Sequence, residues 1–336
     1  MLDRYQVRGD LDAPVSFQVL KQLPIYYGRR EDRMAHGANS LKSILYALVA
    51  NFAIFVAKLA SALYTGSGAM MAEAIHSLAD SGNQVLLLVG IRLAKKPPSP
   101  DYPLGHGKET YFWSFIVALI LFSMGGLFSI YEGVHKLQNP HELTAPYLAL
   151  GVLAFSLVAE GLSLWGCVRE VNKERRGRGF ITWFKETRTS ALLVVFGEDT
   201  AAMLGLSFAT LAIVMTIVTG NPMYDAMGSI SIGMLLIVIA FFIGVEVKSL
   251  LVGQGVEPGI KKEMRAFLEN RQEIEEVYNI ITLQLGDDVM VAIKARMSHS
   301  GSEQKMVMAI NSAEKEFRTA FPQVLWLFFE PDITDS

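Results

Sequence analysis

Apolar residues dominate the chain from residue 42 to residue 252 and fall into six stretches, approximately 42–64, 68–93, 110–136, 145–169, 191–219 and 224–251. Each is near the roughly 20 residues that an α-helix needs to cross a bilayer. Turn-like pieces separate them: Thr65-Gly-Ser-Gly68, the Pro-rich 95–108, and Gly220-Asn221-Pro222 before the last stretch. The pattern predicts six transmembrane helices. After Gly253 the periodicity changes. Ile260, Met264, Phe267 and Leu268 recur at helical spacing, and strand-like runs at 277–285 and 289–297 flank Gly286-Asp287-Asp288, a hairpin signal. Met306, Ile310, Ala313 and Phe317 mark a second helix, and 324–329 closes as an apolar strand. The predicted domains are therefore a cytoplasmic N-terminal segment (1–41), a six-helix transmembrane domain (42–252) and a small cytoplasmic α+β domain (253–336) for dimerisation. A domain that small gains stability from docking or self-association.

Composition agrees with the pattern. Apolar residues make up 51% and charged residues 19% of the 336, fewer charges than the about 25% of ordinary soluble domains. A net charge of −3 gives no sign of a nucleic-acid partner. The single cysteine, Cys167, lies in an apolar stretch as a packing residue and excludes an intramolecular disulfide. Asp3, Asp10 and Asp12, with no early apolar core, argue against a cleaved leader.

Basic residues alternate from loop to loop. Arg29, Arg30, Arg33 and Lys42 precede the first span, and Arg92, Lys95, Lys96 and Lys108 flank the second loop. Arg169, Lys173, Arg175, Arg176, Arg178, Lys185 and Arg188 crowd the fourth loop, whereas the first and fifth have no Lys or Arg and the third has only Lys136. The positive-inside rule then places both termini in the cytoplasm of a multi-pass protein. A bacterial inner membrane is the expected location.

Within the second span, Glu73, His76, Ser77, Asp80 and Gln84 fall on one narrow helical face. Lipid cannot satisfy such a stripe, so it must face protein or water. A charged group at the bilayer centre costs at least about 2.5–3.5 kcal/mol. His76 and Asp80, one turn apart, have a metal-ligand spacing, imidazole suiting zinc and other late divalent ions. An interhelical hydrogen-bonding stripe is the plainer alternative. The fifth span carries a second anomaly, Glu198 and Asp199, which point about 100° apart on a helix, so that one can face the second span. They could instead lie at the N-terminus of a helix that begins later. Asn51 and Asn83 are expected to be interhelical hydrogen-bonding groups. Glu160 in the fourth span is a buried-carboxylate candidate, for a proton path or for pairing with a neighbouring helix.

The chain resembles the cation diffusion facilitator family of divalent-metal/proton antiporters. The resemblance covers residues from about 40 to 332 and rests on AIHSLADSGNQ (74–84), YPLGHGK (102–108), YDAMGSI (224–230) and FFEPD (328–332). With GEDTAA (197–202), it looks closest to the branch containing the animal mitochondrial zinc transporter. It implies a homodimer, a ferredoxin-like cytoplasmic domain, and a transport site between spans two and five. His76 and Asp80 match the second-span motif, and Asp199 falls at the first ligand position of the fifth. Met203 stands where a second ligand is usual, so Glu198 is a candidate to supply the missing oxygen or accept a proton. His106 matches a loop histidine that binds an additional metal in some members; a plain loop role is the alternative. One histidine in the C-terminal domain, His299, predicts no metal cluster there.

The expected function is proton-coupled export of a divalent metal, zinc first, with manganese, iron, cobalt or nickel open, through His76, Asp80, Asp199 and Glu198. The lipid bilayer and protons are the other expected partners. A passive channel and a non-transporting sensor or scaffold dimer are the rivals. An enzyme is not expected, since no His-Glu-x-x-His pair or nucleophile motif occurs.

Overall fold

The computed structural model describes residues 51–299 and 301–334, so the N-terminal segment 1–41 and the start of the first expected span lie outside the described residues. Helix α1 (Asn51–Thr65) is the described part of that span. It is followed by α2 (Gly68–Ala94), α3 (Glu109–Gln138), α4 (Pro146–Glu174), a short α5 (Phe180–Glu186), α6 (Ser190–Thr219) and α7 (Met223–Val252). Four of them, α3, α4, α6 and α7, are long and apolar enough to cross a membrane at 29 or 30 residues each. At 1.5 Å per residue this is about 45 Å, more than the hydrocarbon core requires. Helix α2 has the length, at 27 residues, but carries the polar stripe through its middle.

Small residues let the helices approach closely. A Cβ on Gly126 of α3 would stand 2.5 Å from Ile237 Cγ1, and one on Gly233 of α7 would stand 2.6 Å from the Gly126 carbonyl oxygen. Backbone contact of this kind, rather than an apolar driving force, holds helices together in lipid. Nearby, α3 loosens into a π-helical segment, Leu121–Leu127. At the end of the bundle away from the C-terminal domain, α2 is capped twice. The Ser67 hydroxyl accepts from Met70 N at 3.1 Å. Asp225, in the first turn of α7, accepts from Ser67 Oγ at 2.5 Å, Gly68 N at 2.6 Å and Ala69 N at 3.3 Å. A carboxylate there satisfies free amides and faces the positive end of the α2 dipole.

The basic fourth loop is more ordered than its charges predict. Helix α4 runs past residue 169 to Glu174, and α5 folds back so that fully buried Trp183 meets Phe196 edge-on at 5.5 Å, with Cys167 and Val171 in the same cluster. Phe180 stacks on Phe196 at 5.9 Å, Phe184 packs on the same cluster, and Arg178 donates to Glu186 at 2.9 Å, so aromatic burial and ion pairing together fold the segment.

The C-terminal domain consists of α8 (Pro258–Glu269), β1 (Ile274–Leu285), β2 (Asp288–Met297), α9 (Glu303–Ala320) and β3 (Val324–Pro331). The sheet order is β1-β2-β3, antiparallel for the first pair and parallel for the second, with α9 as the crossover. Val289, Val291, Ile293 and Ala295 alternate inward from β2 and meet Met264 and Leu268 of α8 and Phe317 of α9.

This domain is jointed to the bundle. Gly286, at φ +68° in the β1–β2 turn, donates its amide to the Tyr111 hydroxyl of α3 at 3.0 Å. Lys108 Nζ donates to Leu251 O at 3.2 Å, and Arg188 Nε to Gly255 O at 2.7 Å. The turn sits so closely on the loop before α3 that a Cβ on Gly107 would lie 1.9 Å from Leu285 O. Both partners are backbone, so neither can yield without moving the joint. Gly107→Ala is accordingly expected to destabilise the joint by about 1–3 kcal/mol and to speed hydrogen exchange at the Gly286 amide. Unchanged exchange there would show that the loop and turn do not hold each other in solution.

Candidate functional site

The helical periodicity that places Glu73, His76, Ser77, Asp80 and Gln84 on one face of α2 is realised without a break from Gly68 to Ala94. Glu73 and His76 are fully buried, and the Asp80 side chain is 14% exposed. His76 Nδ1 stands 3.6 Å from Asp80 Oδ1, too far for a hydrogen bond. Both ring nitrogens of His76 lack a hydrogen-bond partner, as do Glu73 Oε1, Asp80 Oδ1, Asn83 Oδ1 and Gln84 Oε1. Unsatisfied buried polar atoms cost about 1–3 kcal/mol each and are rare in native structures. Here they fall in a row on a single helix face.

Facing that row is α6. It begins at Ser190, so Glu198 and Asp199 lie more than two turns inside it and not at its N-terminus. Glu198 is buried and accepts from Asn83 Nδ2 of α2 at 2.5 Å, which makes Asn83 the interhelical group expected of it. Asp199 turns the other way and accepts from Ser163 Oγ of α4 at 3.1 Å. Of the two, Glu198 is the one aimed at the stripe, whereas the family pattern had put Asp199 first. Met203 also points to α4, its sulfur 3.9 Å from where a Cβ on Gly161 would be. Two residues further on, and therefore on the opposite side of α6, Gly205 makes room for the α2 stripe: a Cβ there would fall 2.4 Å from Glu73 Oε1. On the α3 side, a Cβ at Gly125 would be 4.0 Å from His76 Nδ1, so the π-helical segment lies beside the imidazole. Such segments recur at functional sites because they break the regular helical ladder locally.

One residue escaped the sequence reading altogether. Lys58 of α1 is fully buried and donates to Ser77 Oγ at 2.7 Å and to Glu73 Oε2 at 3.3 Å. Glu160 of α4, 9% exposed, brings Oε1 to 4.0 Å from the same nitrogen. The signal was available: a lysine within an apolar span calls for the same explanation as His76 and Asp80.

Other candidates lie apart from this row. His106 is in the loop before α3, partly buried, with its ring 4.3 Å from that of Tyr102. His299 is exposed in the C-terminal domain. Among the described residues, no three His, Cys, Asp or Glu side chains are gathered closely enough to hold a metal ion.

Buried ionisable residues that face each other across two helices of a membrane-spanning bundle are the kind of groups that mark ion pathways. The model of the cation efflux transmembrane domain matches residues 44–252, and the chain belongs to the cation efflux family. It is therefore a transporter and not an enzyme. It is 31% identical over 290 residues to the "Proton-coupled zinc antiporter SLC30A9, mitochondrial" of Xenopus laevis, covering 84% of this chain and 52% of that protein. The Homo sapiens protein of the same name is 35% identical over 226 residues, covering 67% of this chain and 40% of that one. "Metal tolerance protein C4" of Arabidopsis thaliana is 32% identical over 245 residues, covering 72% and 53% respectively. The chain spans about half the length of these relatives. The bacterial inner membrane expected from the sequence draws no support from them, since they are animal mitochondrial proteins and a plant protein.

Proposed function

We propose that this chain exports a divalent transition metal, zinc first, in exchange for protons, by alternating exposure of one site between α2 and α6. The observation that carries this reading is the row of buried, unpartnered polar atoms at His76 and Asp80 opposite Glu198. In this proposal His76, Asp80 and Glu198 take the ion, and Asp199, between Ser163 and the charge of Glu160, passes protons to and from it. Metal binding needs a neutral imidazole and ionised carboxylates, so metal and protons compete for the same atoms. Side chains too far apart to grip an ion at once suit a site that forms only as the helices close. One imidazole among carboxylates also leaves manganese, iron, cobalt and nickel as substrates to be tested. The names of the SLC30A9 relatives support zinc and proton coupling.

The active unit in this proposal is a homodimer with both termini in the cytoplasm. The face of the C-terminal sheet that carries Ile281, Met290, Trp326 and Phe328 lies opposite the helices, and Ile281 and Phe328 are 58% and 54% exposed. An apolar sheet face of this kind is suited to a second copy.

Flux in proteoliposomes tests the reading. Zinc uptake driven by an imposed pH gradient is expected to collapse on adding a protonophore at clamped membrane potential. Flux that persists unchanged would favour a passive channel, and binding without flux a sensor.

A further inference from the structure

Lys58 is a cation held inside the bundle by groups from two other helices. Its nitrogen meets Glu73 and Ser77 of α2 and faces Glu160 of α4 at 4.0 Å. Ser77 adjoins His76, and Glu73 lies one turn before it, so the lysine grips the segment of α2 that carries the candidate ligands. Lysine is not needed merely to join these helices. Neutral hydrogen-bonding or apolar groups would do so without the desolvation penalty of a buried ion pair, and such replacements are often neutral or stabilising.

A fixed charge here has a consequence for a transported cation. Several carboxylates in a medium of low dielectric would hold a divalent ion tightly, and a transporter must also let it go. A neighbouring positive charge weakens that grip by direct repulsion, which is felt strongly where water does not screen it. We propose that Lys58 is a positioning residue of the transport site, a built-in cation that aligns the Glu73–Ser77 segment and lowers metal affinity at His76 and Asp80 enough for release. The proposal rests on the reading of His76 and Asp80 as the transport site.

The test uses the full-length chain, with zinc titrated calorimetrically in detergent and initial rates measured in proteoliposomes. Lys58→Met is expected to tighten zinc binding on the order of tenfold and to lower both KM and kcat. The double variant Lys58→Met/Glu73→Gln removes a charge of each sign and is expected to bring affinity back to within about threefold of wild type. A purely structural role would not produce that tightening and reversal. Should Lys58→Met fail to fold, Lys58→Gln, whose amide can still donate to Ser77 and Glu73, carries the same expectation. A folded neutral variant that binds zinc as wild type does, or more weakly, overturns the proposal. Asp80→Asn, titrated alongside, reports on the site itself: retained binding there would overturn the transport-site reading and this inference with it, whatever Lys58 does.

Discussion

His76→Ala and Asp80→Ala are each expected to reduce metal flux to background while leaving the protein folded. The reasoning joins the two halves of the site geometry. Neither imidazole nitrogen of His76 has a hydrogen-bond partner, and Asp80 Oδ1 has none either. Removing such groups forfeits no hydrogen bond made by those atoms and relieves their desolvation, which offsets part of the about 2–5 kcal/mol that emptying a buried site costs, so the variants should stay folded with a lowered unfolding midpoint. Function should fall much further. Loss of a supporting residue around a metal typically costs about 10–100-fold in affinity, and loss of a ligand should exceed that. Thermal unfolding and zinc flux measured on the same preparations separate the two effects. If both variants moved zinc at near wild-type rates, the ion would have to cross elsewhere. If both lost flux only because they unfolded, the stripe would be structural.

Much of this architecture is legible in the sequence because lipid tolerates so few alternatives. Apolar runs of sufficient length become helices, and spans two, three, five and six lie within a residue or two of where the pattern puts them. In the C-terminal domain, Gly286 takes the positive φ that a tight turn needs, and the alternation from Val289 to Ala295 fixes which face of the sheet is inward. The α2 stripe was legible for the same reason, since its period is that of a single helix. Properties that depend on a second helix were not. Nothing in the sequence of α6 states its rotation about its own axis. That is set by contacts such as Gly197, where a Cβ would strike Ile243 at 2.4 Å, and Gly205 against Glu73. The π-helical segment of α3 and the fold of α5 around Trp183 are likewise products of packing. Lys58 is different in kind. It was visible in an apolar run, with Ser61 and Thr65 following on the same helix face, but its partners on α2 and α4 appear only once the helices are packed.

The rotation of α6 decides the remaining prediction. The family pattern, anchored on Asp225, puts Asp199 at the first ligand position of the fifth span, with Glu198 reaching around to help. In the structure Glu198 faces α2 through Asn83, and Asp199 faces α4 through Ser163. Glu198→Gln is therefore expected to eliminate zinc binding. The amide oxygen can still accept from Asn83, so helix packing should survive and the loss will report the missing negative charge. Asp199→Asn keeps an acceptor for Ser163 and is expected to weaken binding by no more than the about 10–100-fold of a supporting residue, with its main effect on the pH dependence of transport. Calorimetric zinc titrations of both variants across pH, paired with unfolding midpoints, decide between the assignments. The reverse result, with Asp199→Asn abolishing binding and Glu198→Gln leaving it intact, would mean that α6 turns by about 100° to receive the ion. The Asn83–Glu198 bond would then belong only to the metal-free state.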